Sequence, residues 1–115
     1  MIRRKGECAG RTALRMKDGE GEVQFRDLAT TEELLDHARV FSIITLQPGC
    51  SIGYHRHEQE AEYFYCLSGT PTVNDNGTEV LLQPGDVAIN PDGNSHSLMN
   101  KSDSPCEVLA LVMLK

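Results

Sequence analysis

No apolar run in the chain approaches the ~20 residues needed to span a bilayer. The opening MIRRKGECAG has basic residues but no apolar run behind them, so no secretory leader is expected. Positive charge is also in deficit: 11 Lys and Arg stand against 17 Asp and Glu, a net charge of -6. That balance argues against a nucleic acid or an anionic membrane as the main partner. The four cysteines, Cys8, Cys50, Cys66 and Cys106, form no C-x-x-C pair and are widely and irregularly spaced. A disulfide framework is not needed at this size, and the expectation is a cytoplasmic protein with free thiols. No internal repeat or low-complexity block is present.

What remains is ordinary for a globular chain, with 39% apolar and 24% charged residues in 115 positions. That length predicts one domain, 1–115, able to bury roughly two-thirds of its unfolded surface. From about Arg39 onward, short apolar runs alternate with Gly, Pro, Asn and Asp. Val40–Leu46, Glu62–Leu67, Val87–Asn90 and Glu107–Leu114 read as strands, and His96–Asn100 follows a Pro91–Asn94 turn. Pro71–Asp75 and Thr78–Gln83 flank Asn76-Gly77, a dipeptide that tolerates the positive φ of a tight hairpin. Regular short strands separated by turn signals predict an all-β sandwich or barrel. Glu22–Phe25 is a further strand candidate. Thr30–Leu35 has capping-box spacing between Thr30 and Glu33 and predicts one short helix before the barrel strands.

The stretch from Pro48 to Gly69 reads PGCSIGYHRHEQEAEYFYCLSG. Gly49 is followed by five residues and His55, then Arg56 and His57, four residues, Glu62, six residues and Gly69. Later, Gly85 is followed by five residues and Pro91, then Asp92 and Gly93, two residues, His96, three residues and Asn100. These two stretches, 49–69 and 85–100, resemble both signature motifs of the cupin superfamily at every fixed position. The resemblance is to a small single-domain (monocupin) protein. It implies a cupin-type double-stranded β-helix, or jelly-roll barrel, open at one end with a metal inside.

The residues support that site in their own terms. Side chains at i and i+2 of a strand share a face, so His55 and His57 point the same way and Arg56 the other. Glu62 is at odd separation from His57, so the intervening EQEA must turn the chain and put Glu62 on the next strand. His96 arrives from the second motif. Three neutral imidazoles and one carboxylate around a divalent ion make a site of net +1. Four protein ligands leave a five- or six-coordinate ion with one or two exchangeable positions. The donor set suits one divalent ion per chain, Fe, Mn, Ni, Co or Zn. Glu62 could instead orient a ligand histidine through a hydrogen bond.

Other residues carry plainer expectations. His37 reads as a surface residue, and Glu58 and Glu60 as a solvated acidic run. Phe64 and Cys66 share the inward parity of Glu62, whereas Tyr63 and Tyr65 face away. Tyr54 is expected to pack on a strand, and Cys50 to be a small buried hydrophobe. Asn100 is expected to tie backbone groups together beyond His96. Phe64, Ile89, Leu98 and Met99 are candidates to line the pocket, which would suit a small organic acid, a sugar fragment or a similar polar metabolite.

Three functions fit. The first is a metal-dependent enzyme of dioxygenase, decarboxylase or isomerase type, for which the sequence offers no evident acid/base partner. The second is a non-catalytic module that binds a small molecule or the metal, and the third a structural ion that stiffens the barrel. A homodimer is expected, because an outer sheet carrying Tyr63, Tyr65 and Leu67 would otherwise expose aromatic surface. In that assembly Glu22–Phe25 could pair with the partner's sheet.

Overall fold

The computed structural model describes residues 1–115. Ten strands make up the fold: β1 (Ala9–Leu14), β2 (Glu22–Asp27), β3 (Ala38–Leu46), β4 (Ser51–Arg56), β5 (Glu60–Ser68), β6 (Thr72–Asp75), β7 (Thr78–Leu81), β8 (Val87–Asn90), β9 (Ser95–Met99) and β10 (Cys106–Leu114). They form a six-stranded sheet in the order β1-β2-β3-β10-β5-β8 and a four-stranded sheet in the order β4-β9-β6-β7. Every pairing is antiparallel. No helix is long and apolar enough to cross a membrane.

Strict alternation builds the core. On β10, Val108, Ala110 and Val112 are buried while Leu109 and Leu111 lie on the opposite face. On β5, Phe64 and Cys66 are buried with Glu62, and Tyr65 is exposed. Phe25, Ile44, Leu46, Ile52, Val73 and Leu98 close the same apolar layer from both sheets. Each such side chain contributes about 1.5–3 kcal/mol when fully buried. The hairpin forms as expected, with Asn76 at φ 49° and Gly77 at φ 109° between β6 and β7.

Three expectations need correction. Thr30–Leu35 is a turn and not a helix. Its capping box does form, with the Thr30 amide donating to Glu33 at 2.8 Å and the Glu33 amide to Thr30 at 3.1 Å. Leu35 and Asp36 then enter the left-handed region at φ 60° and 57°, which stops a helix before its second turn. Glu22–Phe25, the core of β2, pairs with β1 and β3 of its own chain and not with a partner's sheet. Tyr54 is 52% exposed and is not a packing residue.

β1 was not foreseen. Its sequence, AGRTAL, has no apolar alternation, and it is held by pairing along β2 from Ala9↔Asp27 to Leu14↔Glu22. This places Arg11 opposite Phe25, on the inner face of the sheet. The turn after β1 docks on β4 through two close backbone approaches. A Cβ at Gly53 would overlap the Lys17 carbonyl oxygen, and one at Gly19 the Ser51 carbonyl oxygen, so only glycine fits at either point.

Candidate metal centre

A shift in the β4–β9 pairing between Ile52 and His55 re-aims β4 and sets His55 directly opposite His96. His57 lies one residue beyond the end of β4, and Glu62 enters from β5 after the 57–60 turn. The four residues that the spacing singled out, His55, His57, Glu62 and His96, thus meet from three strands and one turn. Their donor atoms all lie within 4.8 Å of one another, a grouping that could hold a metal ion. His57, Glu62 and His96 are buried and His55 is half-buried.

The outer nitrogens of two rings are already engaged. His55 Nδ1 lies 2.7 Å from the Gly53 carbonyl oxygen, and His57 Nδ1 lies 2.7 Å from Glu60 Oε1. Both partners only accept, so each Nδ1 carries the proton and each Nε2 presents a lone pair. Those two Nε2 atoms are 2.9 Å apart, and His57 Nε2 is 3.0 Å from His96 Nε2. Glu62 Oε1 sits 3.0 Å from His57 Nε2 and 2.9 Å from His96 Nε2. Facing lone pairs repel, so this arrangement calls for a cation at its centre.

The spacings also test the fit. Donors bound at about 2.1 Å and set at right angles lie about 3.0 Å apart, whereas a tetrahedron separates them by about 3.4 Å. The four close spacings, 2.9–3.0 Å, match the right-angled arrangement of a five- or six-coordinate ion. The residues therefore fit a divalent metal ion.

Electrostatics at the cluster follow from its partners. Burial pushes the His55 pKa below its usual value. The hydrogen bond to Glu62, reinforced by Glu60, raises that of His57. Burial alone would raise Glu62, but hydrogen bonds from His57 and His96 bring it below the ordinary carboxylate range. A proton and a divalent ion thus compete for the same point.

Glu60 is a further correction. It is not part of a solvated run: its side chain is only 14% exposed and bridges His57 to Arg39. Arg39 donates from Nε at 2.6 Å and Nη2 at 2.7 Å, and this bidentate pair holds the Glu60 carboxyl at about 2. Glu58 is solvated as expected, 68% exposed beside Arg56. His37 lies at the surface, also as expected. On the inner side, Phe64 stacks on His96 at 4.9 Å and 5° and fixes that ring.

A cavity of about 230 Å³ opens above the cluster. Its walls are Phe25, Ile44, Ile52 and Val112, and its cationic residues are Arg11, Lys17, Arg39 and Arg56. None of the expected lining residues Phe64, Ile89, Leu98 and Met99 borders it. Phe64 and Leu98 belong to the core, while Ile89, out of phase with buried Asn90, is 57% exposed on the outer face. A larger cavity of about 550 Å³ adjoins across Arg11, Arg39 and Val40, and contains none of the four donors.

Residues 42–112 match the Cupin domain family model. The chain belongs to the cupin family. This cupin is 37% identical to the oxalate-binding protein of Thermotoga maritima over 114 residues, 99% of this chain and 94% of that one. A solved structure of a predicted oxalate decarboxylase from Thermotoga maritima superposes at a TM-score of 0.95, with 36% identity and all of both chains covered. A sugar phosphate isomerase structure from Silicibacter pomeroyi, at a TM-score of 0.81 but 21% identity, shares the fold. Motif spacing had singled out the four residues that cluster here. It missed Glu60, Arg39 and Arg11, which no local feature of the sequence marks.

Proposed function

We propose that this cupin binds one divalent metal ion through His55, His57, Glu62 and His96 and uses it to take up a small chelating anion of the oxalate class. The observation that carries this reading is the close grouping of four donors, three of which, His55, His57 and Glu62, line an open cavity. When bound, the ion would supply a positive centre with exchangeable positions for two ligand oxygens. The chain's own residues do the rest. Glu60 and the Gly53 carbonyl fix the proton on the far nitrogen of His57 and His55, so the near nitrogens stay free to coordinate. Arg39 keeps Glu60 ionised for that task. The similarity to an oxalate-binding protein over nearly the whole chain agrees with the ligand class.

Binding is preferred over turnover for a stated reason. Removing carbon dioxide from a dicarboxylate requires a proton for the carbon left behind, and Glu60, at about 2, is held as the anion. The test is thermal unfolding of the metal-loaded protein against oxalate concentration. The melting temperature should climb with oxalate, since a ligand that binds only the native state stabilises it. It should not move after the ion is chelated. A loaded protein indifferent to oxalate would overturn the reading, and release of formate or carbon dioxide from oxalate would replace it with the enzyme.

The same reading includes a homodimer. Two cross-strand rows of apolar side chains, Val87–Tyr65–Leu109–Ile43 and Ile89–Tyr63–Leu111–Phe41, run across the outer face of β8, β5, β10 and β3. They hold no charge, so two copies of a chain with net charge -6 can meet there without opposing like charges. Sedimentation should give a dimer at micromolar concentration and a monomer for Tyr65→Glu. A monomeric wild type would reject this face as the contact.

A further inference from the structure

We propose that the preferred anion is longer than oxalate: a 2-oxo or 2-hydroxy dicarboxylate with a short methylene spacer, whose far carboxylate is received by Arg11. The inference rests on the metal-and-anion reading above and adds the ligand's length and second charge.

The lining of the cavity combines His55, His57 and Glu62 of the polar cluster with the apolar Phe25, Ile44, Ile52 and Val112 and with four cationic side chains. Oxalate carries oxygen on both carbons and has no apolar part to set against those walls. The space of about 230 Å³ equals roughly eight water molecules at ~30 Å³ each, more than one chelated oxalate fills. A 2-oxo or 2-hydroxy acid offers the cluster the same pair of oxygens on adjacent carbons as oxalate does. Its methylenes then meet the walls, and its second carboxylate reaches the cations.

Charge favours two negative ends. Arg11, Lys17, Arg39 and Arg56 are balanced by Glu60 and Glu62 in the lining and by Asp27 and Glu58 behind Arg11 and Arg56, so a bound divalent ion would bring the site to +2.

Among the four cations, Arg11 is the one prepared for a carboxylate. Its Nε donates to Asp27 Oδ2 at 3.0 Å, and its guanidinium carbon lies 3.9 Å above the Phe25 ring centre. Ser42 in turn holds Asp27, donating at 2.6 Å. These contacts fix the plane of the guanidinium and leave both terminal nitrogens without a protein acceptor. A planar fork held from behind can take a carboxylate in two parallel hydrogen bonds. Arg39 has Nε and Nη2 committed to Glu60, and Arg56 is 61% exposed beside Glu58. Lys17 is exposed on the turn after β1 and makes no salt bridge that would fix its ammonium.

The experiment is competition calorimetry on protein loaded with Mn(II), comparing ligands that share a head and differ only by the tail: lactate with malate, and pyruvate with 2-oxoglutarate. The longer acid of each pair should bind about tenfold more tightly, the effect of a charge-assisted hydrogen-bonded pair at a half-exposed site. Arg11→Gln should reduce that ratio to about twofold or less. Lys101→Gln removes the same charge outside the cavity and should leave the ratio intact. Should Arg11→Gln fail to fold, Arg11→Lys keeps the charge but not the fork, and must still lower the ratio. Equal affinities within each pair in the wild type, or a ratio unchanged in the Arg11 variants, would overturn the proposal while leaving the oxalate reading standing. Loss of oxalate binding in the loaded wild type would overturn both.

Discussion

Two buried polar clusters lie at opposite ends of β9, and they are built to opposite rules. Beyond one end, Asn100 is 1% exposed, and its Nδ2 donates to the carbonyls of Leu46 at 2.9 Å and Ser104 at 2.8 Å. Its Oδ1 accepts from the Ser102 amide at 3.0 Å and hydroxyl at 2.7 Å. Every donor and acceptor of that side chain is matched from within the chain. At the other end, His96 joins His55, His57 and Glu62 in a cluster where lone pairs face one another at 2.9–3.0 Å. A buried group left short of partners costs free energy, so a fold retains such a cluster only when something else completes it. The satisfied end is structure, and the unsatisfied end is where a ligand belongs.

The largest expected effect is on the metal. His57→Ala removes the donor that touches all three others, and metal content by elemental analysis should fall from about one ion per chain to below about a tenth. The metal-free variant should still unfold cooperatively in urea. Full metal in the His55→Ala, His57→Ala double variant would end the site as drawn. Asn100→Ala should do the reverse. Losing four hydrogen bonds and stranding the buried Leu46 carbonyl should cost about 2–4 kcal/mol in urea unfolding, with metal per folded chain unchanged. An Asn100 variant as stable as wild type would show that water replaces the side chain at no cost.

What the sequence could reveal divides along the same line. The four donors and Asn100 were legible because tight turns at Gly49, Gly69, Gly85 and Gly93 fix the chain's path between them, so spacing in sequence becomes position in space. Tyr63, Tyr65 and the buried Phe64 and Cys66 followed from strand parity alone. Glu60 was misread because its partner, Arg39, is 21 residues away on β3, and nothing local marks the pair. Arg11 was invisible for a related reason: β1 is a strand only because β2 pairs with it. Thr30–Asp36 failed in the other direction. Its local signal was real, but the segment has no apolar stripe to bury, and a capping box alone does not sustain a short helix.

Glu60 belongs to the ligand end yet is itself fully paired. Glu60→Gln should weaken metal binding about 10–100-fold, since a neutral amide orients His57 but no longer strengthens its basicity. Arg39→Gln, one step further out, should cost several-fold less. A Glu60→Gln protein with wild-type metal affinity in chelator competition would mean that the Glu62 and His96 contacts alone hold the His57 ring.

The smallest effect, and the one that separates empty from filled sites, is in pH. In the metal-free protein, His57 has a raised pKa. Its contribution to stability is complete below the unfolded value of about 6.5 and is lost as pH rises through the folded one. His55 is shifted down, so its contribution is present above about 6.5 and is lost as pH falls through its folded value. The two oppose, so metal-free stability should change less from pH 8 to 5 than either histidine alone would dictate. Below about pH 4.5 the depressed carboxylates take over. Glu60 contributes above its unfolded value and loses that contribution as pH falls towards about 2. The metal-loaded protein should behave differently over the upper range, because protons displace the ion from its imidazoles. Its extra stability should decay steadily as pH drops through and below about 6.5, with tight binding moving the midpoint lower. Urea unfolding at matched pH values, with and without chelator, gives both curves. Parallel curves would mean that the ion is not held by histidine, whereas curves that converge in acid would place protons and metal in competition at this one cluster.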